Sequence, residues 1–103
     1  MKEKYTIYIP DEDTTFIQQI ERAHYECQGR QNVINFMHLN GINNYSNYEE
    51  YWDEYLIYLK IYTELKNELY EKYLLPQINN KNITSQDKWT LNFETKRISV
   101  YDE

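Results

Sequence analysis

The sequence predicts an α+β fold, an antiparallel two-helix hairpin with a small antiparallel β-sheet built from an N-terminal strand and a C-terminal β-hairpin. Three observations predict it. Two long stretches carry apolar residues three and four positions apart, as amphipathic helices do. The connection between them, from Gly41 to Ser46, is short enough to require an antiparallel return. Both ends of the chain alternate apolar and polar residues, the period of a half-buried strand.

The elements follow in order. Over residues 4–9, Tyr5, Ile7 and Ile9 alternate with Thr6 and Tyr8, and Pro10 stops the strand. Asp11-Glu12-Asp13 then precedes a helix predicted over 15–40, where carboxylates favour the helix N-terminus and Thr15 with Gln18 forms a candidate capping box. Its apolar stripe is Phe16, Ile20, Ala23, Cys27, Ile34 and Met37. Gly41 suits the left-handed position after a helix, with Ile42 placed for the hydrophobic contact of a Schellman ending.

Ser46-Asn47-Tyr48-Glu49 is an S-x-x-E capping box opening a second helix over 47–74, which Pro76 is expected to end. Its predicted inner face runs through Tyr48, Trp52, Tyr55, Leu59, Tyr62, Leu69 and Tyr73, flanked by Tyr51, Tyr58 and Leu65. The antiparallel arrangement should bring Lys66 and Lys72 to Asp11-Glu12-Asp13. Residues 77–88 are Asn-rich and aperiodic, and read as a loop. Trp89, Leu91 and Phe93, then Ile98 and Val100, predict a hairpin over 89–101 around Glu94-Thr95-Lys96-Arg97. A lone hairpin is barely stable, so the N-terminal strand is its expected third member, with pairing between subunits as the other option. All 103 residues fit one domain without internal repeats.

Composition narrows the chemistry. A net charge of −6 and a pI near 4.9 argue against direct nucleic-acid binding, which needs Lys and Arg to neutralise phosphates. No stretch is apolar enough to span a bilayer, and the N-terminal residues lack the apolar core of a signal peptide. A single cysteine, Cys27, allows no internal disulfide and fits a reducing compartment. The expected location is the cytoplasm of a host cell, or the interior of a virion. Twelve Tyr, eleven Asn, eleven Ile and eight Lys, against two Gly, one Ala, two Pro and three Arg, point to A/T-rich codons and a low-GC genome.

No motif for catalysis stands out, and the expectation is a protein that is not an enzyme and holds no cofactor. Glu21-x-x-His24, with Cys27 one turn on, is half of a di-iron carboxylate pattern. Helical phase turns Glu21 roughly 140° from the stripe, however, and no second E-x-x-H exists. Cys27 lies in the stripe, where a small buried hydrophobe is expected. Two glycines, Gly29 and Gly41, do not make a phosphate-cradling loop.

Surface features point instead to protein partners. Val33, Ile34, Phe36, Met37 and Leu39 point all round the first helix, so one neighbouring helix cannot cover them. Ile57 and Ile61 fall outside the main stripe of the second helix. Eight tyrosines from Tyr45 to Tyr73, with Trp52 and Phe36, exceed what one helix face can bury. The interface candidates are Val33, Phe36, Leu39, Tyr45, Tyr51, Ile57, Tyr58 and Ile61. Glu49, Glu50, Asp53 and Glu54 crowd the start of the second helix, where acids ordinarily complement the dipole; they are also candidates for meeting a basic partner.

The run Ile20-Glu21-Arg22 … Gly29-Arg30-Gln31-Asn32-Val33-Ile34-Asn35-Phe36-Met37, with Glu71-Lys72-Tyr73 … Pro76 and Trp89-Thr90-Leu91-Asn92-Phe93-Glu94-Thr95, resembles small phage and prophage proteins of low-GC Gram-positive bacteria. The resemblance implies a mobile-element setting and supplies no catalytic residue. Two functions are therefore expected: a non-catalytic interaction component of a phage or mobile-element assembly, acting as an oligomer or on a larger scaffold; or an acidic inhibitor, of the anti-CRISPR kind or directed at a toxin, that occludes a basic protein surface.

Overall fold

The computed structural model describes residues 2–41 and 46–102; for Ser46 and Asn47 it describes the helical backbone alone. The order is β1 (Glu3–Tyr8), a 3-10 turn (Asp11–Asp13), α1 (Thr14–Leu39), α2 (Ser46–Leu69), a π turn (Tyr70–Leu74), α3 (Leu75–Asn79), β2 (Lys88–Asn92) and β3 (Arg97–Tyr101). The α+β hairpin-and-sheet architecture is present. The chain falls into two compact units: unit 1, Met1–Gln19 with Lys66–Glu103, and unit 2, Ile20–Leu65.

Unit 1 contains the sheet, whose three antiparallel strands run in the order β1-β3-β2. The last strand is central because it carries Ile98 and Val100, both fully buried, between two edges. The first strand pairs with it directly, so the sheet is intramolecular. Register builds one apolar face from the rows Tyr5–Val100–Trp89 and Ile7–Ile98–Leu91; the opposite face carries Thr6–Ser99–Thr90 and Tyr8–Arg97–Asn92. The register shifts between Glu3 and Tyr5, a bulge that disturbs the free edge of β1. Four residues, Phe93 to Lys96, turn β2 into β3: the Thr95 amide donates to Asn92 Oδ1 (3.0 Å), and Lys96 takes a left-handed φ of 52°.

Pro10, at φ −69°, leads into the 3-10 turn, which runs directly into α1; the Thr14 hydroxyl donates to the Asp11 carbonyl (2.8 Å). Thr15 therefore lies inside the helix, not at its cap, which corrects the capping box expected of Thr15 and Gln18. Gly41 is left-handed (φ 68°) and closes α1 as expected, its amide donating to the His38 carbonyl (3.2 Å). The predicted contact of Ile42 lies outside the described residues, as does the side chain of Ser46 in its capping box.

Pro76 does not end the second helical segment. The π turn widens the helix just before it, with the Leu75 amide donating to the Tyr70 carbonyl, and Pro76 falls in the first turn of α3. There its missing amide is one the helix start would leave unpaired in any case, and the wider turn gives its ring room. The helix ends instead in a Schellman motif on a non-glycine residue: Lys81 has φ 64°, with Asn82 N–H to Gln77 O at 2.9 Å and Lys81 N–H to Ile78 O at 3.0 Å. The segment read as loop 77–88 thus starts helical, and it places Ile83 in the core.

The buried core of unit 1 is Ile7, Ile9, Ile17, Leu69, Leu74, Ile83, Ile98 and Val100. Polar contacts rim it. Tyr5 donates to Gln77 (3.1 Å), and Asp13 accepts from Tyr73 and pairs with Lys72 (2.7 Å). Of the two lysines expected at the acidic run, Lys72 arrives. Asp11 is met by Lys96 of the β2–β3 turn (2.6 Å), and Lys66 lies over the Trp89 ring at 5.0 Å. Lys4 pairs with Asp87 (2.8 Å), whose carboxylate also accepts the Thr84 amide. These bonds, Lys4 first, hold Asp87 below the ordinary carboxylate pKa; Lys96 does the same for Asp11.

Candidate interaction surface

Unit 2 pairs the residues of α1 from Ile20 with those of α2 up to Leu65. On α1 the inward stripe is Ile20, Ala23, Cys27, Arg30, Ile34 and Met37, alternating steps of three and four. On α2 it is Tyr48, Tyr51, Tyr55, Tyr58, Tyr62 and Leu65, with the same alternation, all half-buried. This is a heptad seam in which rings dominate the α2 side and two small residues, Ala23 and Cys27, interrupt the larger ones of α1. A ring needs depth, and Ala23 and Cys27 supply it.

The seam's phase corrects the sequence reading of α2. Trp52 and Leu59, expected inside, are 39% and 36% exposed, whereas Tyr51 and Tyr58, expected at the surface, are half-buried in the seam. Both phases share Tyr48, Tyr55 and Tyr62, so periodicity alone could not separate them. Arg30 favours the observed one. It occupies a seam position, its guanidinium lies 4.3 Å from the Tyr58 ring centroid, and its Nε donates to Glu54 at 3.0 Å. A second arm pairs with Glu26 one turn back. Glu26 foremost, then Glu54, raises the Arg30 pKa above its ordinary value. A cation stacked on a ring and held by carboxylates prefers Tyr to Leu as its neighbour.

Glu21 is half-buried, not turned fully to solvent, and the His24 ring lies 5.5 Å from both the Tyr25 and Tyr62 rings. Among the described residues, no three of His, Cys, Asp and Glu stand together as metal ligands would. Cys27 is buried, and burial raises its thiol pKa against the opposing charge of Arg30. No helix among the described residues is long and apolar enough to cross a membrane.

Of the interface candidates, Phe36, Leu39, Ile57 and Ile61 are exposed, Val33 is half-buried, and Tyr45 lies outside the described residues. They do not form one patch. His24 meets Tyr62 and Arg30 meets Glu54 and Tyr58, so Ile57 and Ile61 stand level with Tyr25 to Arg30, turns away from Phe36 and Leu39. What α2 itself leaves exposed is a row along its outer side, Trp52, Leu56, Ile57, Leu59 and Ile61, spread over about 200° of the helix with Leu56 and Ile57 nearest the middle. Leu56 was missed because a residue on the side away from the seam counts as ordinary surface until its neighbours are placed. Glu49, Glu50 and Asp53 are exposed beside this row, whereas Glu54 is engaged by Arg30.

No protein-family model matches this sequence, and no curated protein or solved structure matches it significantly.

Proposed function

We propose that this chain is a non-catalytic protein-interaction component that offers the α2 side of its helical hairpin to another protein. The observation that carries the reading is the exposed row Trp52, Leu56, Ile57, Leu59 and Ile61. A helix whose outer side meets only water has no use for five apolar residues there, and exposed apolar surface of that extent marks association. The setting, a phage particle or related mobile-element assembly, is supported by the sequence resemblance. An apolar-sensing dye titrated into the dilute chain tests the reading. Saturable binding that disappears in Leu56→Lys with Ile57→Lys is the expected result; a chain that takes up no dye overturns it. Capsid and tail genes beside the coding gene would support the assembly setting.

A second reading, an acidic inhibitor that occludes a basic protein surface, is favoured by Glu49, Glu50 and Asp53, exposed and outside any ion pair among the described residues. It predicts salt-sensitive binding to a basic protein, weakened when these three and Glu54 are changed to Gln or Asn. Salt-insensitive binding, or neighbouring genes that encode neither defence nor toxin functions, would count against it.

A further inference from the structure

The interaction reading leaves the occupant of the α2 row unnamed, and the charges bordering the row name it. At about 100° per residue, Asp53, Leu56, Ile57 and Lys60 fall within one arc of about 100°, on the opposite side of the helix from Tyr51, Tyr55, Tyr58 and Tyr62. All four are exposed, Leu56 and Ile57 at 54% and 58%. Among the described residues neither Asp53 nor Lys60 makes an ion pair within the chain. The row reads the same from either end: Leu56 and Ile57 form the centre, Asp53 and Lys60 stand equally far out with opposite charge, and Trp52 and Ile61 lie one position beyond them.

We propose that this face is the seam of a homodimer, in which a second copy lays its own α2 antiparallel across the first about a two-fold axis between Leu56 and Ile57. The proposal rests on the interaction reading above and assigns its partner. A two-fold interface is self-complementary, so residue i meets j while j meets i. That operation sets each Asp53 against the other copy's Lys60 and, beside the axis, each Leu56 next to the other copy's Leu56 and each Ile57 next to its Ile57, with Trp52 and Ile61 on opposite flanks of the seam. A parallel copy would instead place Asp53 on Asp53 and Lys60 on Lys60. Leu59 and Glu54 lie about 110° to either side of the centre of this face, outside the seam, and the Glu54 carboxylate is held by Arg30 of its own chain. Glu49 and Glu64 lie a further turn out, where two helices crossing at about 50° have diverged. A basic partner would be expected to meet acids along the whole row, and Lys60 interrupts that.

Sedimentation equilibrium on the full chain, with charge-swapped variants, tests the seam. The expected result is a reversible dimer with a dissociation constant of about 10–100 µM, as suits an interface at the small end of the size range. Asp53→Lys sets lysine against Lys60, and Lys60→Asp sets carboxylate against Asp53; each weakens association about tenfold or more. The double variant D53K/K60D restores attraction and returns the constant to within about threefold of the original. Leu56→Asp, which puts two carboxylates beside the axis, gives a monomer with unchanged helical circular dichroism. A chain that stays monomeric at high concentration yet binds the apolar dye overturns the seam and leaves the interaction reading standing. A dimer indifferent to both single swaps does the same, and a monomer that takes up no dye overturns both.

Discussion

Unit 1 buries Ile7, Ile9, Ile17, Leu69, Leu74, Ile83, Ile98 and Val100, side chains drawn from strands, helix ends, a π turn and a loop. Among the described residues of unit 2 the buried side chains are Ile20, Ala23, Cys27, Ile34 and Met37, all from α1; α2 answers them with tyrosines that stay half-wet. The difference follows from layering. A sheet lying against helix ends encloses side chains from several directions, whereas two helices alone enclose a strip one side chain deep. Tyrosine suits that strip, because its ring fills the slot while its hydroxyl remains at the water. A hairpin built so should be held less firmly, and the far side of α2 stays exposed, with Leu56 and Ile57 on it.

The largest test of this contrast compares one deletion in each unit. Ile98→Ala removes a fully buried side chain from the central strand and should cost about 3 kcal/mol in urea unfolding, whereas Tyr55→Ala should cost about 1–2 kcal/mol. Equal losses would break the comparison. Next, amide exchange should show β3 opening only with global unfolding, while the exposed amides of α2 from Asp53 to Lys60 open at a free energy lower by about 2 kcal/mol. Uniform protection would mean that the hairpin is as tightly held as the sheet.

Smaller effects sharpen the picture. Arg30→Ala should cost about 1 kcal/mol, as expected for a mostly solvated ion pair with a stacked ring, and Arg30→Leu should recover most of it. A leucine variant no more stable than the alanine one would show that the charge, not the filling of the seam, holds this level of the hairpin. In unit 1, Lys81→Gly should raise stability by about 0.5 kcal/mol, because glycine accepts the left-handed φ without a side-chain penalty. The smallest effect concerns acid. Asp87 has its pKa lowered in the fold, so its contribution is present above the unfolded carboxylate value and is lost as pH falls through the folded one. Asp87→Asn should therefore be slightly less stable than the parent at neutral pH, with the gap closing below about pH 4. A gap that persists at low pH would remove the carboxylate from the account.

Much of the fold was legible because its signals are local. Alternation at Tyr5, Ile7 and Ile9 and again at Trp89 and Leu91 marks strands whatever they pair with, and Gly41 marks a helix end by its conformational freedom. Where a stronger local rule misled, a neighbouring distortion had changed its terms. Pro76 is a helix breaker only in a regular ladder, and the π turn before it had already altered that ladder. Lys81 and Lys96 hold left-handed positions that no residue preference announces. The candidate surface was half legible. Ile57 and Ile61 were visible as apolar residues off the main stripe, but Trp52, Leu56 and Leu59 joined them only once the seam was placed.

The sequence by itself therefore determined the two long helices, the strands at either end and the antiparallel return between the helices, since each depends on spacing and turn chemistry carried by a few adjacent residues. The tertiary structure decided the pairing of the first strand within the chain, the strand order, the continuation through Pro76 and the rotation of α2 about its own axis. In the observed rotation Arg30 meets the Tyr58 ring and Glu54 across the seam. Two heptad phases equally allowed along one helix are separated only by what stands opposite it, and the apolar row on the far side follows from that choice.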